Sequence, residues 1–151
     1  MYYLAYGSNL NIEQMKLRCP SSVIVGKTML KNYRLVYKGS ANGYAYLTIQ
    51  PEKGSYVPLG IYKVSLIDKG MLDHYEGFPR FYQKKYFDIE VDGEIVNAFL
   101  YIMNPQFSYH TPTQKYIDIC MQGYKDFGFS QDLLEEALEF TKQNLPKSYK
   151  K

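Results

Sequence analysis

Asp92-Gly93 stands between two strand-like runs, from about Phe81 to Val91 and from Glu94 to Met103, and no other local signal constrains the fold as tightly. A two-residue hairpin turn needs left-handed backbone at its centre, which Asp-Gly supplies at little cost. The two runs are therefore expected to pair antiparallel. The first half of the chain adds more strands. Tyr2-Tyr3-Leu4-Ala5-Tyr6 is a short run of aromatic and aliphatic residues that stops at Gly7 and reads as a buried strand. Val23 to Leu30 and Tyr33 to Tyr37 follow, separated by Lys31-Asn32, and then Tyr44 to Ile49, closed by Pro51. Tyr56 to Val64 reads as a strand in which Pro58 places the start at an edge or bulge.

Helical signals interrupt these strands. Asn11 is placed to cap a short helix carrying Ile12, Met15 and Leu17, which Pro20 ends. Ser65 is placed to cap another, holding Leu66, Ile67, Met71, Leu72 and Tyr75 and giving way at Glu76-Gly77-Phe78-Pro79. Thr111-Pro112 predicts an N-cap followed by proline at the first helical position, with the helix running through Tyr116, Ile117, Cys120 and Tyr124 to Gly128. Ser130 opens the last helix, whose Leu133, Leu134, Ala137, Leu138 and Thr141 share one face. Mostly antiparallel strands with inserted helices predict an α+β domain, a compact mixed sheet or small β-barrel with flanking helices. Nothing resembling a repeat or a Pro-, Gly- and Ser-rich linker divides it. One domain is expected over residues 1–146, with a basic tail at 147–151.

A chain of 151 residues buries enough surface for a substantial core, and 46% hydrophobic with 22% charged residues excludes a disordered class. The net charge is +3, but Lys147, Lys150 and Lys151 account for all of it, so the body of the chain is neutral. A nucleic-acid partner would require the basic surplus on the folded body, and none is expected. Two cysteines, Cys19 and Cys120, are too few and too far apart for a disulfide framework, and no Cys/His cluster has metal-ligand spacing. No metal and no membrane contact are expected. The absence of a leader-like start predicts a cytoplasmic protein.

Two short segments carry the chemistry. Gly7-Ser8-Asn9 follows a predicted strand and opens a helix, where successive backbone N–H groups can cradle an anion. The same residues also suit a plain strand-to-helix turn with Asn9 left-handed. Glu76 lies between Tyr75 and Gly77-Phe78 near a helix end, where desolvation and the helix dipole would raise its pKa and improve it as a base. The competing reading is a solvated charge at a helix end. Asp73 and Glu76 share a helix face, but no acidic partner or second aromatic platform supports a sugar site. His74 stands alone, Cys120 falls on an apolar face, and Cys19 lacks a neighbouring base.

Tyr3-Leu4-Ala5-Tyr6-Gly7-Ser8-Asn9-Leu10 and Leu72-Asp73-His74-Tyr75-Glu76-Gly77 together resemble the γ-glutamylcyclotransferase-like (AIG2-like) family. The likeness extends to Met15, Arg18-Cys19-Pro20, Tyr33-Arg34-Leu35, Leu59-Gly60-Ile61-Tyr62, and Tyr116 followed by Gly123-Tyr124. This resemblance implies a compact barrel with a cavity at one end and an enzyme of lyase or acyltransferase type. It implies substrate binding by Tyr6, Gly7, Ser8, Asn9 and Leu10, with Tyr82 and Tyr116 lining the same cavity, and Glu76 as the catalytic acid/base. The implied substrate is a small γ-glutamyl molecule that cyclises to 5-oxoproline without a cofactor. Tyr75-Glu76-Gly77 differs from the motif of the glutathione-specific branch and argues against glutathione. The leaving amine stays open between an α-amino acid, the ε-amine of lysine and a γ-glutamyl-protected small molecule. A non-catalytic module binding a γ-glutamyl metabolite is the alternative. Of the 17 tyrosines, which accompany no tryptophan, Tyr44, Tyr46, Tyr62, Tyr86 and Tyr101 are expected mostly to pack on strands. Tyr6, Tyr75, Tyr82 and Tyr116 are expected at the cavity.

Overall fold

The computed structural model describes residues 1–147, so all of the predicted basic tail beyond Lys147 lies outside the described residues. Six strands, β1 (Tyr2–Ala5), β2 (Val23–Gly39), β3 (Ala45–Lys63), β4 (Tyr82–Val91), β5 (Glu94–Met103) and β6 (Ser108–Tyr109), form one sheet in the order β4-β5-β1-β3-β2-β6. Strand β1 joins two hairpins. It runs antiparallel to β3, with Tyr2 opposite Lys63, and parallel to β5, with Tyr2 opposite Ala98. The sheet is therefore mixed, and it curls into a half-barrel. Helices α1 (Ile12–Arg18), α2 (Leu66–Tyr75), α3 (Gln114–Phe127) and α4 (Asp132–Gln143) flank it. No helix among the described residues is long and apolar enough to cross a membrane.

Asp92 and Gly93 both take positive φ, 50° and 82°, as their hairpin turn requires. The strands predicted at 23–30 and 33–37 are instead one strand of 17 residues, and those predicted at 44–49 and 56–64 are one of 19. Asn32, at φ 66°, sits where the register shifts: from Lys31 to Tyr33 the partner moves from Tyr56 to Pro51, so residues 52–55 of β3 bulge out opposite it. Pro51 does not close its strand but pairs with Tyr33. Strand β1 reaches only Gly60 to Lys63, so at Pro51 and Pro58 the ladder runs along β2 alone. Tyr44 lies outside the strand and is exposed.

The helix ends also shift. Asn11 caps α1 as expected, accepting from the Gln14 N–H, although Leu17 is exposed. The α3 cap is Thr113 rather than Thr111, because the Thr113 hydroxyl accepts from the Tyr116 N–H. Helix α4 begins at Asp132, one residue after its cap Gln131, and Ser130 accepts from the Asp132 N–H. Helix α2 departs most from its apolar pattern. Leu72 is buried, but Leu66 and Ile67 are 72% and 80% exposed, and Met71 and Tyr75 are exposed as well. Its first turn is held by polar contacts instead. Ser65 and Asp68 form a reciprocal capping box, and Asp68 also accepts from the Ser21 hydroxyl.

Helices α3 and α4 complete the core. The Tyr37 N–H donates to Thr141 Oγ1, tying α4 to β2. On α3, Gly123 backs against the turn after β1, where a Cβ would lie 2.5 Å from Asn11 N and 2.7 Å from Leu10 C. Tyr124 donates its hydroxyl to Tyr6 O at 2.7 Å, and Asn11 Nδ2 donates to Ile119 O. These contacts fix the Gly7–Leu10 segment against the sheet.

Candidate active site

Strand β1 ends at Ala5, and Ser8–Leu10 then make one turn of 3-10 helix, closed by Leu10 N–H to Gly7 O and Asn11 N–H to Ser8 O. The N–H groups of Ser8 and Asn9 precede that closed turn and lie outside its internal bonds. Asn9 is absent from the left-handed region, so the alternative of a left-handed Asn9 turn does not hold. Gly7 lies beside Tyr116, where a Cβ would make ordinary contact with the hydroxyl at 3.4 Å.

Asn9 is buried and uses both ends of its amide. Its Nδ2 donates to the Tyr3 hydroxyl at 2.9 Å and to Glu76 Oε1 at 3.5 Å, while Oδ1 accepts from Arg18 Nη1 at 2.7 Å. A guanidinium has only donors, so this contact fixes which way the amide faces. Tyr62 donates to Asn9 O at 2.8 Å and holds the backbone from the other side.

Glu76 follows the last turn of α2, with its N–H bonded to Leu72 O, and Gly77 at φ 61° turns the chain away. Desolvation pushes the Glu76 carboxyl from 4.5 up to about 7, against the opposing pull of the Arg18 cation. Asp73, one turn earlier, is committed elsewhere. It pairs with Lys84 Nζ at 2.8 Å and accepts from the Tyr101 hydroxyl at 2.6 Å.

Two connected chambers meet at this carboxyl. The inner one, of about 30 Å³, is bounded by Gly7–Asn9, Glu76 and the rings of Tyr3, Tyr6, Tyr82, Tyr101 and Tyr116. The outer one, of about 360 Å³, adds Gln14, Arg18, Tyr46, Tyr75 and Phe81. Ser8, Glu76, Tyr82 and Tyr116 border both. Burial pushes the hydroxyls of Tyr3, Tyr6, Tyr82, Tyr101 and Tyr116 well above the usual tyrosine value, so they stay protonated. Tyr6 donates to Tyr101 O, Tyr82 to Leu47 O at 2.7 Å, and Tyr116 accepts from the Leu47 N–H at 3.1 Å. These bonds lock the rings as walls.

Of the residues singled out in the sequence, Tyr6, Gly7, Ser8, Asn9, Glu76, Tyr82 and Tyr116 converge on the inner chamber. Leu10 does not border either chamber; it is fully buried against Gly60 and Gly123. Tyr75 borders the outer chamber, as does His74. The sequence does not place Tyr3, Arg18, Tyr46 or Tyr101 there, yet they border the chambers. Tyr46 and Tyr101 read as packing residues, and Arg18 stands out only within the Arg18-Cys19-Pro20 stretch. Burial raises the Cys19 thiol to about 11 and that of Cys120 to about 12, which removes both as ready nucleophiles. No group of His, Cys, Asp and Glu among the described residues could hold a metal ion.

A curled mixed sheet thus carries a G-S-N turn at the end of a central strand beside a desolvated glutamate. Solved structures share the fold. An uncharacterized protein, loc79017, from Homo sapiens is 25% identical, covering 98% of this chain and 89% of its own, with a TM-score of 0.75. A gamma-glutamyl cyclotransferase is 24% identical, covering 100% and 91%, with a TM-score of 0.71. YkqA from Bacillus subtilis is 20% identical, covering 97% of this chain and 55% of its own, with a TM-score of 0.70. No curated protein sequence matches the chain. The chain belongs to the gamma-glutamyl cyclotransferase, AIG2-like family, whose sequence profile matches residues 3–124.

Proposed function

We propose that this protein is a cyclotransferase-type enzyme that releases 5-oxoproline and a free amine from a γ-glutamyl substrate, with Glu76 moving the protons. The observation that carries this reading is a carboxyl held at about 7 beside the Gly7–Asn9 turn. A group that ionises near neutrality can both accept and return a proton at working pH. A binding module has no need of a desolvated carboxyl beside its ligand, which favours the enzyme over the metabolite-binding alternative.

The reaction is intramolecular. The substrate's α-nitrogen attacks its own γ-carbonyl carbon, the new N–C bond closes a five-membered lactam, and the old C–N bond to the leaving amine breaks. The α-ammonium gives up two protons in becoming the lactam N–H. The departing nitrogen gains two in becoming an ammonium. Glu76 carries them one at a time, so the enzyme ends as it began. The N–H groups of Ser8 and Asn9 are available to the glutamyl carboxylate or the developing oxyanion. The tyrosine walls hold the glutamyl chain folded and exclude water, which would divert the substrate to glutamate. Folding the chain so that amine and carbonyl meet is an orientation effect worth several kcal/mol, on the order of the lower values seen for intramolecular reactions.

The test is Glu76→Gln assayed for 5-oxoproline release from a panel of γ-glutamyl amines and amino acids. The expected result is a folded variant with activity lowered by at least about a hundredfold. Undiminished turnover in a folded variant would refute the role given to Glu76.

A further inference from the structure

Arg18 is the one lysine or arginine bordering the outer chamber among the described residues. The half-buried guanidinium is held on one edge and one face. Nη1 donates to Asn9 Oδ1 at 2.7 Å and, more weakly, to Ser8 Oγ at 3.5 Å, and the group lies over the Tyr75 ring at 4.7 Å. No carboxylate comes within ion-pair distance of it among the described residues, since the ion pairs there are Arg34 with Glu52 and Lys84 with Asp73. Glu76 feels its charge without contacting it. The Nη2 and Nε donors therefore have no acceptor among the described residues. A cation fixed in place with half of its donor fork unused matches a planar anion, which it can bind through two parallel hydrogen bonds.

The two chambers say which part of a substrate meets it. On the function proposed above, which this inference deepens, the glutamyl portion lies against Gly7–Asn9 and Glu76. The leaving amine must then extend into the outer chamber, the roomier by about 360 to 30 Å³ and the one that Arg18 borders. We propose that Arg18 is a specificity-determining residue that pairs with a carboxylate on the leaving amine, so that the preferred substrates are γ-glutamyl amino acids rather than γ-glutamyl amines. Gln14, whose Nε2 donates to Ser8 O beside Arg18, supplies a neutral polar neighbour at the same wall.

The experiment compares kcat/KM for 5-oxoproline release from γ-glutamyl-alanine and γ-glutamyl-alaninamide, which differ in the leaving group's carboxylate alone. It is run on the parent, Arg18→Gln and Arg18→Lys. The parent is expected to prefer γ-glutamyl-alanine by about tenfold or more, the size of a hydrogen bond to a charged partner. Arg18→Gln is expected to abolish that preference, and Arg18→Lys to keep part of it through charge without the fork. Each preference is a ratio within one protein, so any effect of the substitution on Asn9 or Glu76 cancels. Equal use of both substrates by the parent overturns the proposal even if Arg18→Gln fails to fold. A preference that survives in Arg18→Gln also overturns it. Release of 5-oxoproline by the parent from neither substrate nor any other member of the γ-glutamyl panel would sink the cyclotransferase reading and this one with it. Release from both without discrimination sinks only this one.

Discussion

Burial holds the Glu76 carboxyl at about 7 in place of 4.5, so the folded protein keeps this proton over a pH range in which the unfolded chain has lost it. Stability contributed by this group is therefore intact below about pH 4.5 and falls as pH rises towards 7. The ionised carboxylate is the costly form, by about 3 kcal/mol for a shift from 4.5 to about 7. Glu76→Gln removes the titration. Relative to the parent, the variant is expected to gain stability between pH 5 and pH 8, by at most about 3 kcal/mol, as read from urea midpoints at the two pH values. A parent-to-variant difference that does not change with pH would show that the carboxyl is not desolvated. Activity runs the other way. The base must be unprotonated in the free enzyme, so kcat/KM is expected to rise through about pH 7 and level off above it. This proton was half-legible in the sequence. Tyr75 and Gly77-Phe78 around Glu76 announced an apolar setting, but the enclosing tyrosines come from four other strands and helices, and no local pattern announces them.

Helix α2 shows why an apolar periodicity can mislead about what anchors an element. Its five apolar side chains predicted a buried face, yet only Leu72 is buried, and Asp68 is buried instead. The helix hangs from its capped first turn, where Ser65 Oγ accepts from the Asp68 N–H and Asp68 Oδ2 accepts from both the Ser65 N–H and the Ser21 hydroxyl. Ser65→Ala is expected to lower stability by about 1 kcal/mol, whereas Ile67→Ser, at a site 80% exposed, should shift it by less than about 0.5 kcal/mol. The reverse ranking in chemical denaturation would mean that the apolar face, not the cap, carries the helix. Turn chemistry was the most readable level of the chain: Asn11 caps with its side chain, and Asp92-Gly93 and Gly128 at the end of α3, with φ 73°, take the left-handed backbone that these residue types tolerate. Strand continuity was not readable. A bulge of β3 opposite Asn32 and the one-sided ladder at Pro51 let β2 and β3 run through residues that usually interrupt strands.

The chambers exist because distant elements are packed at fixed separations, and this is the property least visible in a linear pattern. Gly7–Asn9 and Glu76 could be found as short motifs. Tyr3, Arg18, Tyr46 and Tyr101 join them only because β1 lies between β3 and β5 and because α1 runs back past the turn. The tightest of these separations is between α3 and the Ser8–Leu10 turn. A Cβ on Gly123 would meet Asn11 N at 2.5 Å and Leu10 C at 2.7 Å, both backbone atoms that cannot rotate aside. Gly123→Ala must therefore push α3 and the turn apart, straining the Tyr124 hydroxyl bond to Tyr6 O and displacing the Asn9 amide that faces Glu76. The expected cost is about 1–3 kcal/mol of stability, typical of overpacking, with kcat/KM reduced by about a hundredfold because small misplacements are expensive in catalysis. Gly70→Ala is the contrast, since a Cβ there meets nothing within 4 Å and the residue lies inside α2. Helix propensity predicts a gain of up to about 1 kcal/mol with turnover unchanged. Thermal melting and turnover of the two variants side by side separate the cases. If Gly123→Ala matched the parent in both, the α3 contact would not be what holds the turn against Glu76.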